Sequence, residues 1–542
     1  MTTDRSHGRP ILVAGAGPVG LATAIGLARG GALVRVIDRA PAPSQRSKAL
    51  LVWPRTLEVL DALDAGGAER IRRSLPVASF RYYSSARPIA RIGFSERTRP
   101  VILPQPEVEA LLLAAAQRAG VQVERGVELR GFEQREDRVA VRLGGPGPDE
   151  QEAEFSYVVG ADGASSTVRE QLGLPFDGLT YPATFMLADA LVDGAPDHDS
   201  VHYYCSPRGV LVLIGLPNGR FRVFTSAPAD FEPTGDQDAD LAALQRMVDL
   251  RGPGGLRLHS ASWSSTFAVH ARSTERYRVG RVFLAGDAVH IHSPAGGQGL
   301  NTGVTDAHNL AWKLAAVWRG EAPPALLDSY EAERLSVAEA VVRQADLQTR
   351  AWLIRRPLSV LARDWTARLA SATGMFDHRY VPWLAGLRTR YTTGAVSAVA
   401  RGAAGRGPLR SFRPGALAPD LPVRGTGGDA PCVPLRAALS SSAYTLLLIG
   451  RTAPGSGLTP GPGLPAGAVE TRRLVDGTLF APEDRTPSDE GSVAEGMVLI
   501  RPDGHVAAVG TGRDHSALIS YVQTWLREPE HREEPVPSGA AL

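Results

Sequence analysis

Cysteine is nearly absent. Only Cys205 and Cys432 occur in 542 residues, which excludes a disulfide framework, a structural zinc site and a CxxC dithiol, and points to a reduced, cytoplasmic chain. Lysine is as scarce: Lys48 and Lys313 stand among 59 basic residues, and arginine makes up the rest. Arginine's rigid fork suits phosphate and carboxylate groups, but so strong a bias reads first as the usage of a GC-rich genome. An excess of one charge is also missing. With 59 basic against 57 acidic residues and a formal charge of +2, neither a nucleic-acid partner nor a membrane surface is expected. Long apolar runs are absent apart from residues 11–28, which carry no charge. Gly15, Gly17, Pro18, Gly20 and Gly26 interrupt that run, and Asp4 and Arg5 precede it. A buried strand, a glycine turn and a helix explain it better than a signal peptide or a membrane span.

What is present is enough apolar sequence to build large cores, 43% hydrophobic against 21% charged, in a length that sets an expectation of about three domains. Residues 11–14 read as a strand, 15–20 as a glycine turn, 21–29 as a helix and 33–37 as a second strand ending at Asp38. A helix opens at Gln105, and short alternating runs to residue 159 predict a small meander. Three strands are expected at 201–205, 210–216 and 220–226, with reversals at residues 207–209 and at Asn218-Gly219. Helical sequence runs from 281 to about 370, a Gly/Pro/Arg-rich passage covers 401–422, and strands near 444–449, 497–501 and 506–509 precede a helix at 516–526.

Three segments carry chemistry. Gly15-Ala16-Gly17-Pro18-Val19-Gly20 matches GxGxxG, a pattern that glycine-rich sequence meets by chance. Here it follows a strand and opens a helix, and Asp38 lies eighteen residues after its last glycine, placed to accept ribose hydroxyls. The glycines let the backbone approach a pyrophosphate, and the helix start offers it free N–H groups. This much favours an adenine dinucleotide without separating FAD from NAD. The second segment is 159–169, with Gly160-Ala161-Asp162-Gly163. The third is 280–313, with Ala285-Gly286-Asp287 and Pro294-Ala295-Gly296-Gly297-Gln298-Gly299-Leu300-Asn301.

In this order and spacing the three segments resemble the flavoprotein aromatic hydroxylases of the para-hydroxybenzoate hydroxylase type, over roughly residues 10–345. The resemblance implies an α/β fold: an FAD-binding Rossmann-like domain (1–180 and 276–400, with part of the second sheet near 75–104) and an inserted antiparallel-sheet substrate domain (181–275). A linker at 401–430 and a disordered tail at 529–542 flank residues 431–528, which resemble the thioredoxin-like domain of phenol and polyketide hydroxylases but lack CxxC; packing or oligomerisation is its expected role. The implied cofactor residues are Gly15, Gly17, Pro18, Val19, Gly20, Asp38, Arg39, Arg46, Gln105, Asp162, Gly163, Gly286, Asp287, Pro294, Gly297, Gly299, Leu300 and Asn301. Pro294, Gly296 and Gly297 form the loop at the reactive face of the flavin. No second strand-borne GxGxxG exists, so NADPH or NADH is expected to visit transiently. His290 and His292 flank the loop without an acid cluster nearby, and no metal is expected.

The resemblance implies that O2 supplies one oxygen atom, delivered through a hydroperoxide at flavin C4a to an aromatic, polycyclic polyketide substrate. Baeyer–Villiger insertion, antibiotic-inactivating hydroxylation and a non-catalytic flavin protein that binds an aromatic metabolite remain as alternatives. Candidate substrate contacts in the second sheet are His202, Tyr203, Tyr204, Arg222, Phe224 and Trp263, though strand parity alone does not say which of them point inward. No substrate-activating base is identified. A monomer or homodimer is expected.

Overall fold

The computed structural model describes residues 8–45, 47, 49–145, 150–228, 231, 236–396, 407–424, 432–449, 469–475, 478–480, 496–511 and 514–526. Arg46 and the segment 529–542 lie outside them, and so does the side chain of Cys432.

A six-stranded sheet organises the first unit, in the order Arg278–Val279, Val282–Leu284, Tyr157–Gly160, Ile11–Ala14, Val34–Asp38, Val123–Arg125. The last five strands are mutually parallel. Ile11–Ala14, Tyr157–Gly160 and Val282–Leu284 are buried throughout, as parallel strands covered on both faces must be. Their register pairs Ala14 with Gly160 and Ile37, and Gly160 with Leu284. All three glycine-bearing segments therefore leave the sheet side by side at its carboxyl edge, where open α/β sheets bind ligands. The expected meander forms a separate antiparallel sheet of Glu128–Gln134, Val139–Gly144 and Glu150–Phe155.

Eight strands form the second sheet, in the order His290–Ile291, Arg257–Ser273, Asp177–Asp193, Phe221–Ser226, Gly209–Gly215, Ser200–Ser206, Ser79–Ser84, Arg87–Gly93. Its face toward the first unit carries an aromatic cluster that includes Phe80, Phe185, Tyr203 and Phe224. Its other face packs Tyr204, Leu211, Leu213 and Val223 against the helix Gln237–Arg251. That helix was not anticipated, although Asp236 caps it by accepting from the amides of Asp238 and Ala239.

The third unit is a seven-stranded mixed sheet in which Tyr444–Ile449 lies between Val469–Val475, its parallel neighbour, and Gly496–Ile500, its antiparallel one. The passage read as a linker differs from that expectation over its described part. Leu409, Phe412, Leu417 and Ala418 are buried, and Pro422–Arg424 adds a strand to this sheet. Glycine and proline there shape a packed connection. No helix among the described residues is long and apolar enough to cross a membrane.

Candidate active site

At the first turn Gly15 holds φ +104°, and a Cβ there would meet the Ala161 carbonyl oxygen at 2.3 Å. Only glycine allows the two strand ends to touch this closely. Gly17, by contrast, faces open space with nothing within 4 Å of a built Cβ. Pro18 takes the first position of the helix Pro18–Arg29, where its missing N–H costs nothing. The Val19 side chain closes the gap to the third segment. Its Cγ2 lies 2.7 Å from where a Cβ would stand on Gly286 and on Gly303.

Asp38 ends its strand with both carboxylate oxygens engaged, accepting from the amide of Ala16 at 2.7 Å and that of Ala40 at 2.8 Å. Arg39 beside it is exposed. Asp162 is different. Its Oδ2 accepts from the Val168 amide at 3.2 Å, while Oδ1 is buried with no partner. Burial pushes its carboxyl up from the usual range against hydrogen bonds from Ser166 and Val168. Gly163 follows at φ +84° with open space at its Cβ position. Gln105 opens its helix and accepts from the Ala49 amide at 3.3 Å, tying it to the segment that contains Arg46.

The third segment is fixed from behind. Asp287 is exposed at the turn Gly286–Ala288. Beneath it the buried Asp306 accepts from the Gly286 amide at 3.3 Å, from Arg334 Nε at 2.7 Å and pairs with His290 Nε2 at 2.8 Å. His290 thus serves as an anchor. His292 donates from Nδ1 to the Ser293 carbonyl at 2.8 Å, its Nε2 is buried without a partner, and burial pushes the ring down to about 4. Pro294 is exposed, and Gly296 and Gly297 hold φ of +78° and +62°. The Asn301 side chain stitches this loop to a neighbouring segment: it accepts from the Trp53 amide at 2.8 Å and donates to the carbonyls of Leu51 at 2.9 Å and Gly297 at 2.7 Å. Trp53 Nε1 donates to the Gly296 carbonyl at 3.0 Å. The helix Gly299–Trp318 starts directly after, with its free N–H groups and positive dipole end toward the loop; Leu300 packs on the core.

Strand parity divides the candidate substrate residues. Tyr203 lies in the aromatic cluster toward the loop, whereas Tyr204 faces the far cluster. His202 shares that face, with Nε2 3.0 Å from the Asp197 carbonyl and Nδ1 3.4 Å from Tyr83 Oη. The structure does not bring His202 or Tyr204 to the loop. Arg222 and Phe224 do face it. Arg222 is bidentate to Asp189 at 2.7 and 2.8 Å and reaches the Ser47 carbonyl at 2.6 Å. Trp263 Nε1 donates to the same Asp189 at 2.8 Å, so Arg222 clamps the second sheet to the residue beside Arg46. Phe185, Phe224 and Phe267 stack at centroid distances of 4.9 to 6.2 Å, and Tyr82 stacks on Tyr203 at 4.6 Å. Tyr82 carried no sequence signal beyond its residue type.

A family model of the FAD binding domain matches residues 9–345. The chain belongs to this family of flavoprotein monooxygenases. It is 34% identical over 551 residues to 6-methylpretetramide 4-monooxygenase of Streptomyces rimosus, covering 97% of this chain and 95% of that one. Among solved structures, the OxyS anhydrotetracycline hydroxylase from Streptomyces rimosus is 29% identical with a TM-score of 0.74, over 96% of this chain and 100% of that one. The flavin-dependent monooxygenase PieE, in complex with FAD and substrate, is 26% identical with a TM-score of 0.76, over 95% and 99%.

For a member of the FAD binding domain family, the residues present fit the cofactor. The open positions at Gly17 and Gly163 leave room for a pyrophosphate against a helix start, and the unpartnered Asp162 Oδ1 awaits a donor. FAD is the cofactor of this enzyme.

Proposed function

We propose that this FAD-dependent monooxygenase hydroxylates a polycyclic aromatic substrate of the polyketide type, with NADPH or NADH as transient reductant and O2 as the oxygen source. The observation that carries the reading is the stack of Phe185, Phe224 and Phe267 with the Tyr82–Tyr203 pair on the sheet face toward the Pro294–Gly297 loop. Flat aromatic walls recognise flat aromatic ligands. FAD supplies electron transfer and oxygen activation when bound; the protein binds, orients and excludes water.

In this reading Gly15, Gly17, Pro18 and the start of the helix Pro18–Arg29 receive the pyrophosphate, and Asp38 with Arg39 lies toward the adenosine ribose. Asp162 and Gly163 lie by the pyrophosphate, Gly286 and Asp287 hold the ribityl–phosphate region, and Arg46 and Gln105 are further FAD contacts. Amides at Gly297, Gly299, Leu300 and Asn301 stabilise negative charge at the reduced ring system. The loop keeps its shape because Asn301 and Trp53 hold it. The third unit is a thioredoxin-like domain that serves as a packing element, and the enzyme works in the cytoplasm.

The test is NADPH oxidation in the presence of anhydrotetracycline and related polycyclic phenols, with the product structure determined. Accelerated oxidation and a new ring hydroxyl are expected. A lactone that opens and gains water in mild base, formed as the main product, would overturn hydroxylation in favour of Baeyer–Villiger insertion and leave the FAD site standing.

A further inference from the structure

The long helix Asp328–Trp352 runs behind the flavin-face loop and is pinned to it where Thr349 Oγ1 donates to Ser293 Oγ at 2.6 Å. In the stretch just before Thr349 it carries two glutamines four residues apart, Gln344 and Gln348, neighbours on one helix face. Gln344 Nε2 donates to Gln348 Oε1 at 3.0 Å and to Tyr380 Oη at 2.6 Å. Tyr380 donates to Gln348 Oε1 at 3.2 Å, and Gln348 Nε2 donates to Tyr82 Oη at 3.4 Å. Both N–H groups of Gln344 are therefore used. Its Oε1 is buried and has no partner.

That oxygen has a definite place. A Cβ on Gly296 would stand 3.6 Å from Gln344 Oε1, 3.4 Å from Gln348 Oε1 and 3.5 Å from Leu384 Cδ2, so the carboxamide oxygens lie directly against the loop at Gly296. The cluster continues through Tyr82 into the Tyr82–Tyr203 stack, the aromatic wall already described. A glutamine on a long helix is most often a solvated surface residue, but a buried acceptor without a donor carries a cost that a ligand relieves.

We propose that Gln344 Oε1 is the acceptor that recognises a free hydroxyl on the aromatic substrate, making Gln344 a specificity-determining residue. The inference rests on the aromatic-substrate reading above and narrows it to phenols. Because the donors of Gln344 are consumed within the cluster, the position selects a ligand that donates and rejects one that only accepts. Burial pushes the phenols of Tyr82 and Tyr380 up, which keeps them neutral and holds the network in one protonation state.

The experiment titrates the FAD-loaded protein with 2,6-dihydroxyanthraquinone and with its dimethyl ether, following the flavin absorption band. The wild-type chain is expected to bind the dihydroxy compound about tenfold more tightly, the span of one neutral hydrogen bond. Gln344→Met, similar in length but without the oxygen, should bring the two within about twofold. A preference that survives in Gln344→Met overturns the assignment. So does equal binding of both probes by the wild-type chain, a comparison that stands whether or not the variant folds. Binding of neither probe by the wild-type chain would overturn the aromatic-substrate reading itself, and the assignment with it.

Discussion

Asp38 and Asp162 lie at the same sheet edge on either side of the strand Ile11–Ala14, yet of the two only Asp162 keeps an unpaired buried oxygen. Losing each carboxylate should therefore carry a different cost. Asp162→Ala should weaken FAD binding about tenfold or more, while the apoprotein loses only about 1 kcal/mol, the worth of a local cap. Flavin-fluorescence titration and melting of the apoprotein separate the two effects, and a large loss of apoprotein stability would contradict the assignment. The glycines divide the same way. Gly17→Val enters open space and should abolish FAD binding while leaving the apoprotein folded. Gly15→Val meets the Ala161 carbonyl at positive φ and should cost the fold itself about 3 kcal/mol or more. The motif glycines were legible because their spacing carries a physical requirement. Gln344 was not, since nothing in a helix of 25 residues marks which polar side chain lies against a loop from elsewhere.

Among the elements, the helix Pro18–Arg29 crosses the helix Gly299–Trp318 with glycines at the contact. A Cβ on Gly26 would stand 2.7 Å from Ala311 Cβ, and one on Gly30 would stand 2.6 Å from Ala315 Cβ. The two helices bring their starts, and with them the first and third glycine segments, to one site. Gly26→Val should destabilise by about 1–3 kcal/mol through overpacking and weaken FAD binding although it lies about two helical turns beyond the start of the helix at Pro18. Melting temperature and flavin content should fall together; intact flavin affinity in a destabilised variant would show that the crossing does not position the site. Elements with regular periodicity and turn residues at their ends were readable, such as the strands around Asn218-Gly219. The two strands of 17 residues, Asp177–Asp193 and Arg257–Ser273, were not, because bulges break their alternation between Thr180 and Thr184 and again after Asp189. Parity hid the inward tyrosine for a related reason: Tyr203 and Tyr204 differ only in which sheet face the register assigns them.

For the whole molecule, the third unit is docked by charges with no solvent access. Arg501 is bidentate to Glu333 at 2.7 and 2.8 Å, and Lys313 Nζ reaches Glu333 at 2.7 Å. Arg55 adds a bond from the first unit to the Asp503 carbonyl at 2.6 Å. A cavity of about 350 Å³ lies at this junction, walled in part by Arg55, His308, Asp503 and His505. Residues so far apart in sequence, such as Arg55 and Asp503, left no trace of their pairing in the sequence. Burial by itself would raise the Glu333 carboxyl, but Arg501 and Lys313 hold it down to about 2, below its ordinary 4.5. Its contribution, about 3 kcal/mol, is present above pH 4.5 and is lost as the pH falls toward about 2. Unfolding followed across that range should show a steep acid limb that flattens in Glu333→Gln. Arg501→Met removes the guanidinium shared by Glu333 and Asp503, leaving only Lys313 against Glu333, and should cost about 3–5 kcal/mol. The central claim is that this fold spends reducing equivalents to put one atom of O2 into an aromatic ring. The most direct measurement is turnover of anhydrotetracycline, or another polycyclic phenol that accelerates NADPH oxidation, under ¹⁸O2. The account predicts one ¹⁸O atom in a new ring hydroxyl per NADPH consumed in coupled turnover; a product that takes its oxygen from water, or that forms without NADPH, would contradict it.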